Sequence, residues 1–533
     1  MSSSPDASTL AAATGSRPWI LAATIIGSSM AYIDGSVVNV AMPVLQRDFG
    51  VRIDQVQWVV EAYTLFVASL ILIGGTLGDR YGRRRIYAAG VALYSIASVW
   101  CGLAPNVDQL ILARVLQGIG GAMLVPGSLA IITSCFSDEE RGKAIGTWSG
   151  LSAVSTAIGP LLGGWLVDNI SWRGVFFINV PLGALVLLLL YRHVPESSDP
   201  DAPKRLDWTG AALAATGLGS LVFGLIQANT LGARSPIVLG SCGGGILLLA
   251  AFIWVQAHTA APMMPLKLFR SREFAATNIL TLLLYAALGG MMFFLGFNLI
   301  QVQGYSATAT GAALLPFIIL ISTLSRWAGG LATRHGPRLP LVLGPVVAAG
   351  GFALLTLPSL GGSYWSTFFP GIAGVGLGMA ITVAPLTATV MGSVAPHHAG
   401  TASGINNAVS WLASLLAIAL LGLVAVDSFR GKLETELMRR PLSQAYRTAI
   451  AGQSAKLAQI ELPAAMSREE AAAAHAAIDV AYIGTFRIVM FWCAGLALAS
   501  GLLAGAVLGT GKRLKINQQE SGITNQGLRI PRP

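Results

Sequence analysis

The chain has few charged residues. Only 11% of its 533 residues are Asp, Glu, Lys or Arg, whereas soluble domains carry about 25%. Hydrophobic residues make up 54% of the chain, so too few polar side chains remain to cover the surface of a soluble protein. This composition excludes a soluble multidomain enzyme and indicates an all-α protein that crosses the membrane many times.

Several chemical signatures are also missing. The four cysteines form no Cys-x-x-Cys pair and the six histidines show no ligand spacing, which argues against a metal site. No GxxxxGK[ST] phosphate loop, HExxH or GxSxG motif is present, so neither direct ATP use nor hydrolase chemistry is indicated. The net charge of +10 comes without a basic run interleaved with aromatic residues, so we expect no nucleic-acid partner. We predict a protein that is not an enzyme and has no catalytic residues, metal or cofactor.

One turn indicates how the chain is oriented. The run 75–85 reads Gly-Thr-Leu-Gly-Asp-Arg-Tyr-Gly-Arg-Arg-Arg and separates two apolar stretches. Four arginines cannot be translocated cheaply, so this turn is expected in the cytoplasm. Apolar runs bounded by charge, glycine or proline predict fourteen spans. Their ranges are 18–44, 56–76, 86–104, 107–134, 144–167, 172–191, 208–227, 236–256, 274–301, 309–332, 339–358, 364–388, 402–426 and 481–509.

The distribution of basic residues supports this topology. The loops assigned to the cytoplasm hold fourteen Lys or Arg and the short outer loops hold four, as the positive-inside rule requires. An even number of spans places both termini in the cytoplasm. The predicted parts are a cytoplasmic N-terminus at 1–17, a six-helix bundle at 18–191, a linker with two extra membrane helices at 192–273, a second six-helix bundle at 274–509 and a cytoplasmic tail at 510–533. The second bundle contains an external segment at 427–479, in which Ser467 and Glu470 predict a capping box before a helix.

The two bundles share a short repeat. The run 75–82 reappears at 329–336 as Gly-Gly-Leu-Ala-Thr-Arg-His-Gly. In each half this turn follows the second predicted span. The matching position predicts two homologous halves with two helices inserted between them.

Ionisable residues are rare inside the predicted spans, and three of them are candidates for proton coupling; Arg326 in the tenth span is a further charge, for which the sequence indicates no partner. A charge at the centre of a transmembrane helix costs about 2.5–3.5 kcal/mol on insertion scales, so each needs a reason. Asp34 lies near the middle of the first span, while Arg114 and Glu61 lie one to two turns inside the fourth and second. A carboxylate whose distance to an arginine changes with conformation can take up and release a proton. We therefore predict proton coupling by these residues, with a structural ion pair for Asp34 and a wetted interfacial position for Glu61 as the alternatives.

A glycine–proline motif interrupts the fifth predicted span. It consists of Gly159, Pro160, Gly163 and Gly164. Pro160 cannot donate to the helical hydrogen-bond ladder and tends to kink the helix, and the glycines let a neighbouring backbone approach closely. The motif predicts either a tight helix contact that seals one side of a transport path or ordinary packing of small residues.

Together these motifs resemble the major facilitator superfamily, and in particular its branch of drug:proton antiporters with fourteen spans. The resemblance covers about residues 18–510 and is carried by the motifs 34–43, 75–85, 110–121, 159–164, 172–181 and 399–407. It implies the major facilitator fold, in which two six-helix bundles rock about a central cavity, here with two inserted helices.

The resemblance also implies roles for individual residues. Arg114 would be the proton-coupling arginine and Asp34 the membrane-embedded carboxylate. The arginine turn would form a cytoplasmic gate between the halves, through Gly75, Asp79, Arg80, Gly82, Arg83 and Arg84. The substrate cavity is expected to be lined by Asn39, Trp148, Phe294, Asn298, Asn406 and Asn407, for which helix packing is the alternative.

The function implied is proton-driven export of hydrophobic drugs, cationic or neutral, across the bacterial cytoplasmic (inner) membrane. The proton gradient is the expected energy source. Expected partners are the small-molecule substrate, protons and the lipid bilayer, with a periplasmic adaptor and an outer-membrane channel as further candidates. Two alternatives stay open: dedicated export of one natural metabolite, such as an antibiotic, siderophore or amino acid, and a membrane sensor that transports nothing.

Overall fold

The computed structural model describes residues 7–199, 206–232, 234–394 and 399–508. Helices account for most of these residues, and no strand occurs among them, which confirms the all-α prediction. The predicted tail 510–533 lies outside the described residues, as do the first six residues and the basic pair Lys204 and Arg205.

The described part of the first half contains seven helices. They are α1 (Ala7–Phe49), α2 (Ile53–Tyr81), α3 (Arg83–Leu103), α4 (Val107–Cys135), α5 (Asp138–Asn169), α6 (Gly174–Phe177) and α7 (Asn179–His193). The inserted pair is α8 (Trp208–Leu231) and α9 (Pro236–His258). The second half contains α10 (Arg272–Phe297), α11 (Ala307–Ala313), α12 (Leu315–His335), α13 (Arg338–Leu354), α14 (Tyr364–Thr367), α15 (Phe369–Gly392), α16 (Ala399–Met438), α17 (Gln444–Ala451) and α18 (Arg468–Val507).

Twelve helical stretches of the described chain are long and apolar enough to cross a membrane. Two predicted spans are not among them. The span 144–167 lies within α5, a helix of 32 residues, and the span 339–358 coincides with α13, which is apolar but has only 17 residues. Each predicted span thus coincides with helix, while the number fourteen itself stays a prediction.

Three predicted spans are broken into two helices. The breaks fall at Ile178, Leu314 and Phe368. Pro316 and Pro370 lie in the first turn of α12 and α15, where proline starts a helix well but lacks the N–H needed to continue the helix before it. Hydropathy marks the apolar run and does not register such a break.

Three helices extend well beyond their predicted spans: α1, which begins at Ala7, and two helices that flank the segment 427–479. The helix α16 continues to Met438 and α18 begins at Arg468, so both project into the segment 427–479. The predicted capping box is present, because Ser467 Oγ accepts from the Glu470 N–H at 3.2 Å and the Ser467 N–H donates to the Glu470 carboxylate at 2.9 Å. Charged residues after position 426 mark where the predicted span ends, but they do not end the helix.

The helices pack as two bundles with the inserted pair beside them. In the first bundle α4 packs on α2 and α3, and α1 packs on α5 and α7. In the second, α13 packs on α15 and α18, and α10 packs on α16 and α18. The helices α8 and α9 pack on each other, and α8 also contacts α2 of the first bundle and α16 of the second. The inserted pair therefore lies at the seam between the halves.

The two halves meet mainly through four helix pairs: α5 with α11, α2 with α16, α1 with α10, and α5 with α12. We call the surface that carries the turn 79–85 the arginine side and the surface that carries residues 439–467 the segment side. On the segment side, Gln46 of α1 donates to the carbonyl of Lys456 at 3.2 Å and accepts from Gln301 at 3.3 Å. Gln459 donates to the carbonyl of Pro43 at 3.2 Å. The segment 427–479 thus bridges both halves, which are in contact on this side.

Candidate functional site

Asp34 and Arg114 form a buried ion pair inside the first bundle. Arg114 Nη1 donates to one oxygen of Asp34, and the two side chains are 0% and 1% exposed. Gln117 completes the group, because its Nε2 donates to the other Asp34 oxygen at 3.2 Å and its Oε1 accepts from Arg114 at 2.7 Å. The structure therefore brings together the two residues that the sequence singled out, at a place where neither can be wetted from the surface.

Arg114 has further partners besides Asp34. Its Nε donates to the carbonyl oxygen of Val59 at 2.9 Å, and its Cζ lies 4.2 Å from the centroid of the Tyr63 ring. An aromatic face attracts a guanidinium group, more strongly where water is excluded. The carbonyl, the amide oxygen of Gln117 and the ring remain when Asp34 is neutralised. Arg114 then keeps hydrogen-bond acceptors and an aromatic face, although its charge lacks a counterion.

Glycines in α4 explain why this network can assemble. A Cβ on Gly118 would lie 2.6 Å from the carbonyl oxygen of Tyr63, and one on Gly120 would lie 2.8 Å from the amide nitrogen of Tyr94. The backbones of α2 and α3 therefore press directly against α4. That approach brings Ser98 of α3 within 2.9 Å of Gln117 Nε2 and fixes the network on both sides.

Glu61 lies in a different environment. Its side chain is fully buried, and neither carboxylate oxygen has a hydrogen-bond partner among the described residues. One turn earlier, Gln57 donates to the carbonyl of Ile418 at 3.4 Å, and one turn later Leu65 clusters with Leu415 of α16. Glu61 thus lies on the side of α2 that meets the second half, and the wetted position offered as its alternative does not describe this conformation.

The arginine turn contacts the chain that follows α7. Asp79 accepts from Arg83 at 2.9 Å, and its carbonyl accepts from the Asp199 N–H at 2.8 Å. Glu196 accepts from the backbone N–H groups of Arg84 and Arg85 at 3.0 and 3.2 Å. These partners precede the inserted helices, so the described contacts of Asp79 and Arg83 lie within the first half, and the role of the turn as a gate between the halves stays a prediction. The segment 194–199 returns directly beneath the turn and supplies these hydrogen-bond partners, Glu196 as an acceptor and the Asp199 N–H as a donor.

The remaining residues of the turn shape its backbone. Gly82 ends α2 with a φ of 110°, which favours glycine, and a Cβ there would lie 2.7 Å from the Glu196 carboxylate. Gly336 ends α12 at the repeated turn with a φ of 81°. Gly75 packs beside Pro126, and Arg80 lies over the neighbouring Tyr81 ring at 4.9 Å. The shared left-handed glycine supports the repeat at the level of backbone geometry.

The glycine–proline motif seals helix contacts on both sides of α5. Cβ atoms on Gly159 and Gly163 would collide with Ser36 and Val37 of α1. On the other side, a Cβ on Gly164 would collide with the carbonyl of Ala307, and the carbonyl of Pro160 lies against Gly311. The motif therefore closes α5 simultaneously onto its own half and onto α11 of the other half.

A carboxylate next to this motif joins the halves. Asp168, near the end of α5, accepts from the backbone N–H groups of Ala307 and Thr308 at 3.1 and 2.6 Å, at the start of α11. Partial burial alone would raise the pKa of Asp168, but the hydrogen bonds from Thr308, Ser306 and Ala307 outweigh it and lower the pKa below its ordinary value. Asp168 therefore stays ionised at neutral pH and across mild acid, and its stabilising effect is lost only as the pH falls through that lowered pKa.

We expect Asp168→Ala to open the segment side more often. Asp168 is exposed, so water weakens these hydrogen bonds to about 0.5–1.5 kcal/mol, and their loss should raise the open population by roughly 2- to 10-fold. Spin labels at Pro105→Cys and Ser359→Cys, one on each half, report the opening as a longer distance. Asp48→Ala removes an exposed carboxylate that pairs with Arg47 on the same side and should leave the distances unchanged. Equal distance distributions in all three proteins would contradict the role of Asp168.

The residues predicted to line a substrate cavity divide into two groups. Asn39 borders a small central cavity together with Ser36, Pro160 and Thr310, and Asn406 donates to Thr281 at 2.7 Å. Asn407 is half-buried on the same helix as Asn406. Asn39 thus lies between the halves, whereas the hydrogen bond of Asn406 is to α10 of its own half. The role of all three residues in binding substrate stays a prediction.

The other group is packed inside the bundles. Trp148 is 6% exposed and its indole donates to Ser28 Oγ at 3.0 Å, within the first bundle. Phe294 and Asn298 are 1% and 2% exposed, and Phe294 packs against Phe293 with ring centroids 5.1 Å apart. In this conformation these side chains fill bundle interiors, which favours the packing alternative. Inward-facing and lipid-facing positions are both apolar, so the sequence did not separate them.

Sequence reasoning missed several residues that the structure brings to the site. They are Gln117 and Tyr63 beside Arg114, Glu196 beneath the arginine turn, Asp168 at the seam, and Trp411 of α16. Gln117 stands in the quoted motif 110–121 and lies three residues from Arg114, a spacing that places two side chains on the same side of a helix, so this signal was available. The others are linked to their partners only through tertiary contacts.

Comparison with known proteins agrees with this architecture. A profile of the Major Facilitator Superfamily matches residues 24–418. The multidrug resistance protein Stp of Mycobacterium tuberculosis is 36% identical over 420 residues, which cover 79% of this chain and 78% of the relative. The puromycin resistance protein pur8 of Streptomyces alboniger is 35% identical over 416 residues, covering 77% of this chain and 82% of the relative. The tetracenomycin C resistance and export protein of Streptomyces glaucescens is 33% identical over 414 residues and 76% of each chain.

Solved structures show the same fold. A bacterial homologue of the human lysosomal transporter Spinster aligns over 92% of this chain and 97% of its own, with a TM-score of 0.59 at 20% identity. The superfamily profile covers most of the chain, including the Asp34–Arg114 pair, the arginine turn and the glycine–proline motif. The chain therefore belongs to the major facilitator superfamily, a family of transporters and not of enzymes.

Proposed function

We propose that the protein is a proton-coupled exporter of lipophilic drugs and that Asp34 carries the coupled proton. The observation that carries the proposal is the fully buried pair of Asp34 and Arg114. Two opposite charges inside a bundle are costly to bury, and a stable core needs neither. A role in transport would explain why the pair is present despite this cost. When the pair separates, Asp34 can accept or release a proton, and the pair re-forms afterwards.

The geometry suggests how the exchange proceeds. Opening the segment side would expose Asp34 to protons, and the neutral acid would release Arg114 to Val59 and Gln117. Opening the arginine side would admit substrate and let Asp34 lose its proton, after which Arg114 pairs with it again. Each state requires the other side to be closed, and the contacts of Gly164 and Asp168 with α11 supply that closure on the segment side.

Glu61 is suited to a second, supporting role. Its carboxyl group is buried without partners where α2 meets the other half. Burial of an ionised carboxylate without a partner is costly, so closure of this interface favours the protonated acid and opening favours the anion. Proton binding at Glu61 would thus follow the movement of the halves.

The proposed orientation places the arginine side in the cytoplasm and the protein in the bacterial cytoplasmic membrane, with both termini inside. It rests on fourteen basic residues in the loops of one side against four in the short loops of the other. Seven further Lys and Arg lie in the segment 427–479, and long segments are exempt from the rule.

Cysteine labelling tests this topology. We expect Ala464→Cys, which is exposed on the segment side, to react with a membrane-impermeant maleimide on intact cells. Ser137→Cys, exposed on the arginine side, should react only after the cells are opened. Each variant is made in a background in which the half-buried Cys135 and Cys242 are serine. Labelling of both positions on intact cells would refute the orientation.

Transport itself is tested in everted membrane vesicles. A proton gradient, acid inside, should drive accumulation of ethidium, a lipophilic cation, and addition of ethidium should discharge the gradient, because each molecule taken in releases a proton. Nigericin, which dissipates the gradient, should stop accumulation. Accumulation that is indifferent to nigericin would sink the proposal of proton coupling.

A dedicated exporter of one natural compound is the second candidate. The names of relatives favour it, since one is a puromycin resistance protein and another a tetracenomycin C resistance and export protein. A resistance panel in an efflux-deficient host separates the two: broad protection indicates a multidrug exporter, whereas protection against a single compound indicates a dedicated one. A periplasmic adaptor and an outer-membrane channel stay proposals as partners, to be sought by crosslinking of the intact protein.

A further inference from the structure

One aromatic residue of the second half contacts the surroundings of the Asp34–Arg114 pair in the first half. Trp411 of α16 meets Tyr63 of α2 edge to face, with ring centroids 5.8 Å apart and planes at 79°. It packs against the hydrophobic cluster of the first bundle that contains Tyr63 and Tyr94. Apart from Ala408, also on α16, the other members of this cluster and the side chains packed on it belong to the first half.

The same indole also covers the backbone next to Asp34. Its Cη2 atom lies 3.3 Å from the place where a Cβ on Gly35 would stand. Only a glycine at position 35 permits so close an approach without a shift. Trp411 therefore contacts a neighbour of each partner of the ion pair. Gly35 directly follows Asp34 in the chain, and the Arg114 guanidinium lies 4.2 Å from the centroid of the Tyr63 ring.

Tyr63 has little freedom to adapt if the indole moves. It is 1% exposed, its hydroxyl donates to the carbonyl of Ala31 at 3.3 Å, and a Cβ on Gly121 would lie 3.3 Å from its ring. Within the first half the ring is held by Ala31, by Gly121 and by the Arg114 guanidinium that lies over it. Trp411 is its contact from the second half. Removing or tilting the indole would loosen Tyr63 on that side and open a path for water toward Asp34.

Trp411 itself is only half-buried, at the seam between the halves. Part of this residue is therefore accessible, and an indole attracts a cation more strongly than other aromatic side chains do. We propose that Trp411 is the positioning residue through which a flat, lipophilic cation bound between the halves acts on the Asp34–Arg114 pair. This inference rests on the proposed function and adds to it the residue that couples the two ligands.

The coupling has a thermodynamic signature. When substrate and proton oppose each other through one residue, each must weaken the binding of the other by the same factor. In the native protein the Kd of ethidium should therefore fall as the pH rises, and ethidium binding should release protons. Removal of the Trp411 indole should strongly reduce both the pH dependence of the ethidium Kd and the release of protons, while some ethidium binding remains.

The experiment uses the purified full-length protein in lipid nanodiscs. Ethidium binding is measured by fluorescence between pH 5.5 and 8.5, and proton release is measured in weakly buffered solution. We expect Trp411→Leu to reduce the pH dependence of Kd and the protons released per ethidium at least fivefold, and Trp411→Phe to keep most of both. Trp492→Leu is the matched control, because Trp492 is 56% exposed on α18, and it should behave as the native protein.

The outcomes are distinguishable. Weaker binding with an unchanged pH dependence in Trp411→Leu would overturn the inference and leave Trp411 as a wall of the binding site. No pH dependence in the native protein would instead contradict proton coupling itself.

A second measurement needs no aliphatic variant to fold. In the native protein labelled with fluorotryptophan, the ¹⁹F resonance of Trp411 is identified by its absence in Trp411→Phe. It should shift with pH in the native protein and stay constant in Asp34→Asn. A Trp411 resonance that shifts equally in both proteins, or in neither, would also overturn the inference.

Discussion

Asp34→Asn is expected to reduce proton-driven efflux to the level of vesicles that lack the protein, while the chain folds and inserts normally. The amide keeps the size of the side chain and an oxygen that accepts from Arg114, but it cannot bind and release a proton. Arg114 also keeps the Val59 carbonyl and Gln117 as acceptors. Ethidium efflux driven by an imposed pH gradient in proteoliposomes measures the effect.

The same variant should still exchange one ethidium molecule for another across the membrane. Exchange needs the alternation of the halves but no net movement of protons, so it separates loss of coupling from loss of binding. Asp108→Asn, an exposed carboxylate in the first turn of α4, is the control and should transport at the native rate. Native proton-driven efflux in Asp34→Asn would show that another group carries the proton.

Arg114→Ala should damage the protein more than Asp34→Asn does. It leaves Asp34 as an unpaired buried anion, and breaking a buried ion pair on one side costs about 3–5 kcal/mol. It also removes the donor to the Val59 carbonyl and the cation over Tyr63. A lower midpoint of thermal unfolding and a lower yield of folded protein, measured in detergent by tryptophan fluorescence, are the expected results.

A second substitution separates stability from transport. In Arg114→Gln with Asp34→Asn both charges are gone, so most of the lost stability should return while proton-driven efflux stays absent. Arg114→Lys keeps the charge but lacks the planar fork that reaches a carboxylate and a carbonyl at once, and we expect intermediate stability. If Arg114→Ala had the same midpoint of thermal unfolding as the native protein, the pair would contribute nothing to the stability of the fold, and its burial would need another explanation.

The glycine–proline motif illustrates how far a sequence pattern can be taken. Glycines at 159, 163 and 164 predict close helix contact, because only a residue without a Cβ allows two backbones to touch. The pattern did not say which helix each glycine meets. The structure assigns Gly159 and Gly163 to α1 and Gly164 to α11, and only the last contact lies between the halves.

Trp148 and Trp411 also show that a sequence pattern does not reveal which neighbours a side chain meets. Both lie in apolar spans, and Trp148 is the one predicted to line the cavity, although the hydrophobic pattern does not separate the two. Trp148 is packed within the first bundle, where it bonds Ser28, whereas Trp411 stands at the seam between the halves and meets Tyr63. The distinction depends on how each helix is rotated about its axis.

By itself the sequence determined the membrane-spanning helices, the repeated glycine turn and the presence of intramembrane charges that needed partners, because hydrophobicity, glycine and charge act locally along the chain. Only the tertiary structure decided that Asp34, Arg114 and Gln117 share one network, that Glu196 underlies the arginine turn and that Asp168 joins the halves. These contacts link residues far apart in the chain. In a bilayer the lipid-facing and bundle-facing sides of a helix are equally apolar, so hydrophobic pattern fixes where a helix lies but not which side it turns to its neighbours.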